Sequence, residues 1–197
     1  MLTGRYDLVE KLTLCLSRYF RYMLGSSAAF IALEKELEHV ENYMQIQRLR
    51  KPEHLAYTQE IEQSLQDALI PPLLVQTFVE NSIKYGEPDR GPLEIGVFAE
   101  PVLDGTARMR ITITDNGSGY PEAVLKAQQG GRPPAEGSTQ GIGIENARRR
   151  LALTYGAGAS LRIGNGPEGG AVVEILLPLR LAGEKEEAVW DDDPACG

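Results

Sequence analysis

Phe78-Val79-Glu80-Asn81-Ser82-Ile83-Lys84-Tyr85-Gly86 is the stretch whose reading decides the fold. The breaker pair Pro71-Pro72 stands just before it, so the spacing predicts a helix from near Leu73 to about Tyr85. At about 100° per residue, Thr77, Glu80, Asn81 and Lys84 fall on one narrow side of that helix. Val75, Phe78, Val79 and Ser82 fall on the other. A carboxylate, an amide and an ammonium thus share one side of an otherwise apolar helix. One reading is a solvated face with a Glu80–Lys84 ion pair one turn apart, worth a few tenths of a kcal/mol. The other is the wall of a site, and the rest of the chain decides between them.

Upstream, Leu8, Leu12, Cys15, Leu16, Tyr19 and Met23 recur at three- and four-residue steps from Asp7 to Met23, and Gly25-Ser26-Ser27 stops the pattern. A second stripe runs through Leu33, Leu37, Val40 and Met44, with the charges Glu34, Lys35, Glu36, Glu38 and Glu41 between, and reaches Arg50 before Pro52. Two such helices cannot bury both stripes alone. They must pack on each other, on the domain downstream, or on a second subunit. Leu55–Ile61 then alternates like a strand. Downstream of the opening stretch, 93–98 and 107–114 read as two strands around Leu103-Asp104-Gly105, with Met109, Ile111 and Ile113 facing one way. A short helix is expected over 121–128 and a mobile loop over 129–140, where Gly, Pro, Ser and Glu dominate. Ile144, Ala147, Leu151 and Tyr155 mark a further helix. The segments 159–163 and 171–177 close the fold as a hairpin, and the acidic tail is expected to be disordered. Strands joined by hairpins, with helices gathered on one face, give an α+β two-layer sandwich rather than a doubly wound parallel sheet.

The chain has 197 residues with 42% hydrophobic and 24% charged content, the composition of a soluble globular protein. A net charge of -8 and no basic stripe argue against a nucleic-acid surface. No apolar run is long enough to span a membrane, so no membrane contact is expected within this fragment. Cys15 and Cys196 lack metal spacing and read as free thiols. His39 and His54, the two histidines, read as structural or exposed.

Two further elements carry chemistry. Asp115-Asn116-Gly117-Ser118-Gly119 leaves a strand end, where the sheet can aim a carboxylate into a cleft and the glycines let backbone approach a planar ligand. Gly141-Ile142-Gly143-Ile144 opens a helix whose N-terminus favours phosphate. Neither a Walker A loop nor a dinucleotide fingerprint is present. Taken in order, Glu-Asn-x-x-Lys on a helix, Asp-x-Gly-x-Gly after a strand and Gly-x-Gly at a helix start resemble the N, G1 and G2 boxes of the GHKL (Bergerat) ATP-binding fold. The stretches 70–76, 79–86, 33–37, 43–48 and 143–151 are similar to the LytS/YehU-type sensor histidine kinases.

This resemblance implies that Asn81 holds Mg²⁺ against the triphosphate of ATP and that Lys84 contacts a phosphate. Asp115 would accept a hydrogen bond from the adenine amino group, with Gly117 and Gly119 beneath the ring. Gly141, Ile142, Gly143, Ile144 and Asn146 would form the phosphate-side loop and helix start, and Tyr85 would line the site. Glu80 would assist transfer, orienting the acceptor or taking its proton; pairing with Lys84 stays open as its alternative. The resemblance further implies residues 1–51 as the end of a dimerisation and phosphotransfer region, 52–180 as the catalytic domain, and 181–197 as a tail. A response regulator would be the indirect partner, a homodimer the full-length state, and the cytoplasmic part of a membrane-anchored bacterial sensor the location.

Three departures stand out. Tyr85 replaces the usual His, Ala171 replaces a Thr, and the family's acceptor motif Pro-His-Phe-Leu-Phe-Asn does not occur in the sequence. Thr77 stands where the hydrolysing members carry a water-activating Glu, which favours phosphoryl transfer over hydrolysis. A GHKL serine kinase of the anti-sigma type and a degenerate nucleotide-sensing or dimerisation module are the competing readings.

Overall fold

The computed structural model describes Thr13, Ser17 and residues 28–50, 53–128 and 141–182. The expected helix over 7–23 falls outside these residues apart from Thr13 and Ser17. The expected mobile loop and nearly all of the acidic tail fall outside them too.

Among the described residues the main elements are, in chain order, β1 (Ile31–Ala32), α1 (Leu33–Arg50), β2 (Leu55–Ile61), β3 (Leu69–Ile70), α2 (Leu74–Tyr85), β4 (Leu93–Val102), β5 (Arg108–Asp115), α3 (Glu122–Gln128), α4 (Ile142–Tyr155), β6 (Ser160–Asn165) and β7 (Ala171–Pro178). Strands β2-β4-β5-β7-β6 form one sheet in that order, and β1 pairs with β3 in a small second one. The fold is α+β, as the periodicities require.

The expectation that neighbouring strands are joined by hairpins fails at two places: β5 and β7 pair across a connection that holds α3, α4 and β6, and β2 and β4 pair across another. β2 and β4 run parallel, Leu55 opposite Leu93 and Ile61 opposite Ala99, and the connection between them contains α2. Parallel neighbours need a crossover of a dozen or more residues, and α2 supplies it. The sheet is therefore mixed, and the helix that carries Asn81 is the crossover.

Alternate residues of β5 and β7 point to the core: Met109, Ile111 and Ile113 from one, Val173, Ile175 and Leu177 from the other. Leu74, Val75, Phe78 and Val79 of α2 and Ile144, Ala147 and Leu151 of α4 cover them, each at most 5% exposed. The stripe Leu33, Leu37, Val40 and Met44 of α1 enters the same continuous cluster. On the open face of the sheet, Arg110 lies between Glu100 and Glu174, an exposed arrangement that adds little stability.

Glu36, one of the charges between the apolar positions of α1, does not face solvent. It is fully buried, and its carboxylate accepts the backbone N–H of Leu73 (2.8 Å) and of Gln76 (3.1 Å). Leu73, at the start of α2, is left-handed (φ 61°), and no side chain at that position caps the helix. A helix N-terminus has orphan donors and a positive dipole end, and a carboxylate answers both. The local sequence provides no cap here, so α1 delivers one from 37 residues away. Arg150 of α4 secures the other side, donating to the Pro72 carbonyl at 2.6 Å.

Glu36→Ala leaves the buried Gln76 N–H and the part-buried Leu73 N–H without this acceptor and is expected to destabilise the fold by about 2–3 kcal/mol, read from urea unfolding midpoints. A second expectation concerns His39, which is 3% exposed and whose pKa burial lowers from 6.5 to about 4. Between those values the unfolded chain binds the proton more tightly. Stability therefore falls as pH drops from about 6.5 towards 4, by at most about 3 kcal/mol from this group. His39→Gln should flatten that part of the stability–pH curve.

Candidate functional site

β5 ends at Asp115, and the carboxylate is held from three sides. Oδ1 accepts the backbone N–H of Gly117 (2.9 Å) and of Ala171 (3.0 Å), while Oδ2 accepts the Ser82 hydroxyl (2.6 Å). The β5 turn, the first residue of β7 and helix α2 thus meet on one side chain. The turn after it is fixed as well. Asn116 accepts the Glu94 N–H at 2.8 Å and donates to the Pro92 carbonyl at 3.1 Å. Asn165, at the end of β6, exchanges hydrogen bonds with both backbone groups of Tyr120, at 2.7 and 3.0 Å.

Two glycines make this convergence possible. A Cβ on Gly117 would lie 2.5 Å from the Cα of Gly86, so the turn and the end of α2 touch backbone to backbone. Gly170 has φ +75°, and a Cβ there would lie 1.8 Å from the Asp115 carbonyl oxygen. Only a bare backbone lets the loop before β7 reach Asp115 at this distance.

Beside Asp115 opens a cleft. Asn81, Ser82, Tyr85 and Gly86 of α2 and its end form one wall; Gly119, Tyr120, Pro121 and Val124 form another; Gly141, Ile144 and Ala171 complete it. Burial, and then the Asp115 charge, push the Tyr120 hydroxyl well above its usual pKa, so it stays protonated. Asn81 is half-buried, and its amide lies against Gly143, 3.7–3.8 Å from where a Cβ would stand. Among the described residues no group of three or more His, Cys, Asp or Glu gathers to cage a metal. An amide oxygen on the cleft wall nevertheless fits Mg²⁺, which usually takes one or two protein oxygens and completes its shell with phosphates and water.

The family model for the histidine kinase-, DNA gyrase B- and HSP90-like ATPases matches residues 67–181, more than half of the chain. The chain belongs to this family. A histidine kinase family model also matches residues 1–55. Sensor histidine kinase YesM of Bacillus subtilis (strain 168) is 32% identical over 173 residues, 87% of this chain and 28% of that protein. Sensor protein LytS of Staphylococcus saprophyticus is 35% identical over 181 residues, 91% of this chain and 30% of that protein. The chain thus spans under a third of the length of these relatives. Among solved structures, the histidine kinase domain of the Erythrobacter litoralis EL346 blue-light activated kinase superposes with a TM-score of 0.55. That match has 19% identity and covers 88% of this chain and 75% of that one, a likeness of fold.

The sequence-derived candidates do not all line the cleft. Asn81, Tyr85, Asp115, Gly119, Gly141 and Ile144 line the cleft. Gly117 is buried just behind it, and Gly143 packs near Thr77. Lys84, Ile142 and Asn146 are exposed rather than part of the lining, with the Lys84 ammonium 4.8 Å from the Tyr85 ring centre. Glu80 is half-buried, and the Gln76 side-chain amide donates to it at 2.5 Å. Its carboxylate is thus oriented from one turn earlier on the same helix. The Thr77 hydroxyl turns back to the Leu73 carbonyl at 2.6 Å.

Three residues that shape the site are given no role by the sequence. Periodicity places Ser82 on the apolar side of α2, Gln76 enters only within the 70–76 resemblance, and Asn165 reaches the site through the β6–β7 pairing. Gly170 stands just before Ala171, where the resemblance already marks a departure, and strand pairing brings it beside the end of β5.

Gly170→Ala is expected to cost at least about 2 kcal/mol more than Gly105→Ala, measured by urea unfolding. Both have positive φ, but the Gly105 position opens to free space while the Gly170 position collides with backbone.

Proposed function

We propose that the chain is the ATP-binding catalytic portion of a two-component sensor histidine kinase, which passes the ATP γ-phosphate to a histidine outside this chain for relay to a response regulator. The observation that carries this reading is the Asp115 carboxylate, held by Gly117, Ala171 and Ser82 at the wall of a cleft in a fold of the ATPase family. A carboxylate so fixed keeps an acceptor for the exocyclic amine of adenine. Gly119, Tyr85 and Ile144 line the same cleft and would pack against the base.

In this reading Asn81 binds Mg²⁺, and Lys84 and the N-terminus of α4 around Gly141, Ile142, Gly143 and Asn146 receive the phosphates. Bound Mg²⁺ would neutralise charge on the triphosphate. Glu80, aimed by Gln76, orients the acceptor imidazole or takes its proton as the phosphorus–nitrogen bond forms and ADP departs. Positioning supplies most of the catalysis. No carboxylate stands at Thr77 to activate water, which favours transfer over hydrolysis.

Residues 1–51 are read as the end of the dimerisation and phosphotransfer region, 52–180 as the catalytic domain, and a homodimer as the full-length state. Relatives that carry the names of sensor proteins support this over the serine-kinase alternative. A built Asp115 site speaks against a degenerate module. No described helix is long and apolar enough to cross a membrane, so anchoring and a cytoplasmic location rest on the same reading.

Calorimetric titration with ATP, with and without Mg²⁺, tests the proposal. Saturable binding strengthened by Mg²⁺ is expected, and Asn81→Ala should remove that strengthening, about a tenfold loss. Absence of binding at millimolar ATP would refute both kinase readings.

A further inference from the structure

The Ser82 hydroxyl sits at the meeting point of α2 and β5, 7% exposed, and both Ser82 and Asp115 line the cleft. A carboxylate offers about four lone-pair directions, two on each oxygen. On Asp115, Oδ1 spends both of its directions on the backbone N–H groups of Gly117 and Ala171. Oδ2 spends one on the Ser82 hydroxyl, at 2.6 Å, and keeps one. The serine has a single proton and has given it to Asp115. What remains on its oxygen is acceptor capacity alone.

From this proton inventory we propose that Ser82 is a specificity-determining positioning residue. It holds Asp115 Oδ2 in one orientation and, with it, presents the base with two acceptors and no donor. Such an edge favours a purine with an amino group at position 6, which brings N–H donors. It opposes a purine with an oxo group there, which sets acceptor against acceptor at position 6 and leaves N1–H as the donor of that edge. A purine with hydrogen at that position neither gains nor clashes.

The backbone N–H groups of Gly117 and Ala171 both end on Oδ1 and fix the plane of the carboxylate, so neither adds a group beside Oδ2. The Ser82 hydroxyl is the partner of Oδ2, and its own oxygen adds the second acceptor. Sites built to hydrogen-bond a substrate group discriminate against analogues that lack it far better than apolar pockets do. The proposal rests on the nucleotide reading of the cleft, and the experiment separates the two.

The test measures displacement of a fluorescent ATP analogue from the wild-type chain, Ser82→Ala and Ser82→Thr. The competitors are ATP, inosine triphosphate (6-oxo) and purine riboside triphosphate (6-hydrogen). Wild type should prefer ATP to each of the others by about tenfold or more. Ser82→Ala should weaken ATP selectively, bringing it within about threefold of purine riboside triphosphate. Ser82→Thr, which keeps the hydroxyl, should restore the ranking.

Circular dichroism melting confirms that each variant is folded, and a folded Ser82→Ala decides the matter even if the threonine does not fit. Equal weakening of all three nucleotides in Ser82→Ala, or an unchanged ranking, overturns the role given to Ser82. Failure of wild type to bind any of them at millimolar concentration overturns the nucleotide reading itself.

Discussion

The Asp115 carboxylate is the point on which the architecture turns. Three donors from separate parts of the chain end on it: a turn amide, the first amide of β7 and a hydroxyl from α2. A buried or half-buried carboxylate is costly unless its oxygens are satisfied, so each partner is needed in place for the others to be tolerated. Satisfying it fixes the distance between α2 and the sheet, the path of the loop before β7 and the shape of the cleft wall. The glycines at 117 and 170 are the steric condition for that meeting.

A second carboxylate organises the other end of α2. Glu36 brings a negative charge from α1 to the backbone amides of Leu73 and Gln76, and the Gln76 side chain reaches on to Glu80. The helix at the heart of the site is thus held at its start by α1 and along its length by the sheet. Its polar side is free to carry function because its apolar side and its terminus are both accounted for. Thr77 and Asn81 face the start of α4, whose Gly143 lets that helix come close.

Much of this is legible in the sequence. Periodicity locates α1, α2 and α4 and the five strands of the main sheet, because apolar residues at steps of two or of three to four report directly which side is buried; the short β1–β3 pair gives no such signal. The Asp-x-Gly-x-Gly turn and the Gly-x-Gly helix start announce themselves because glycine spacing is a local property. Three matters are not local. The parallel pairing of β2 with β4 depends on strand order, which alternation does not encode. The cap from Glu36 looks like one more charge among five, since polarity in a list says nothing about a partner 37 residues away. Ser82 groups with apolar neighbours because a helical wheel records which side a hydroxyl occupies, not what it meets there.

The crossover position of α2 has a consequence for how the molecule breathes. Leu55–Ile61 and Leu93–Ala99 are zipped together by a parallel ladder, and α2 is threaded between them in sequence. The helix cannot peel away by fraying from an end, as a terminal helix can; releasing it requires the β2–β4 ladder or the core beneath it to open as well. The wall bearing Asn81 and Ser82 is thus carried by an element anchored at both ends in sequence, and it presents a ligand with a surface set by the core rather than by a chain terminus.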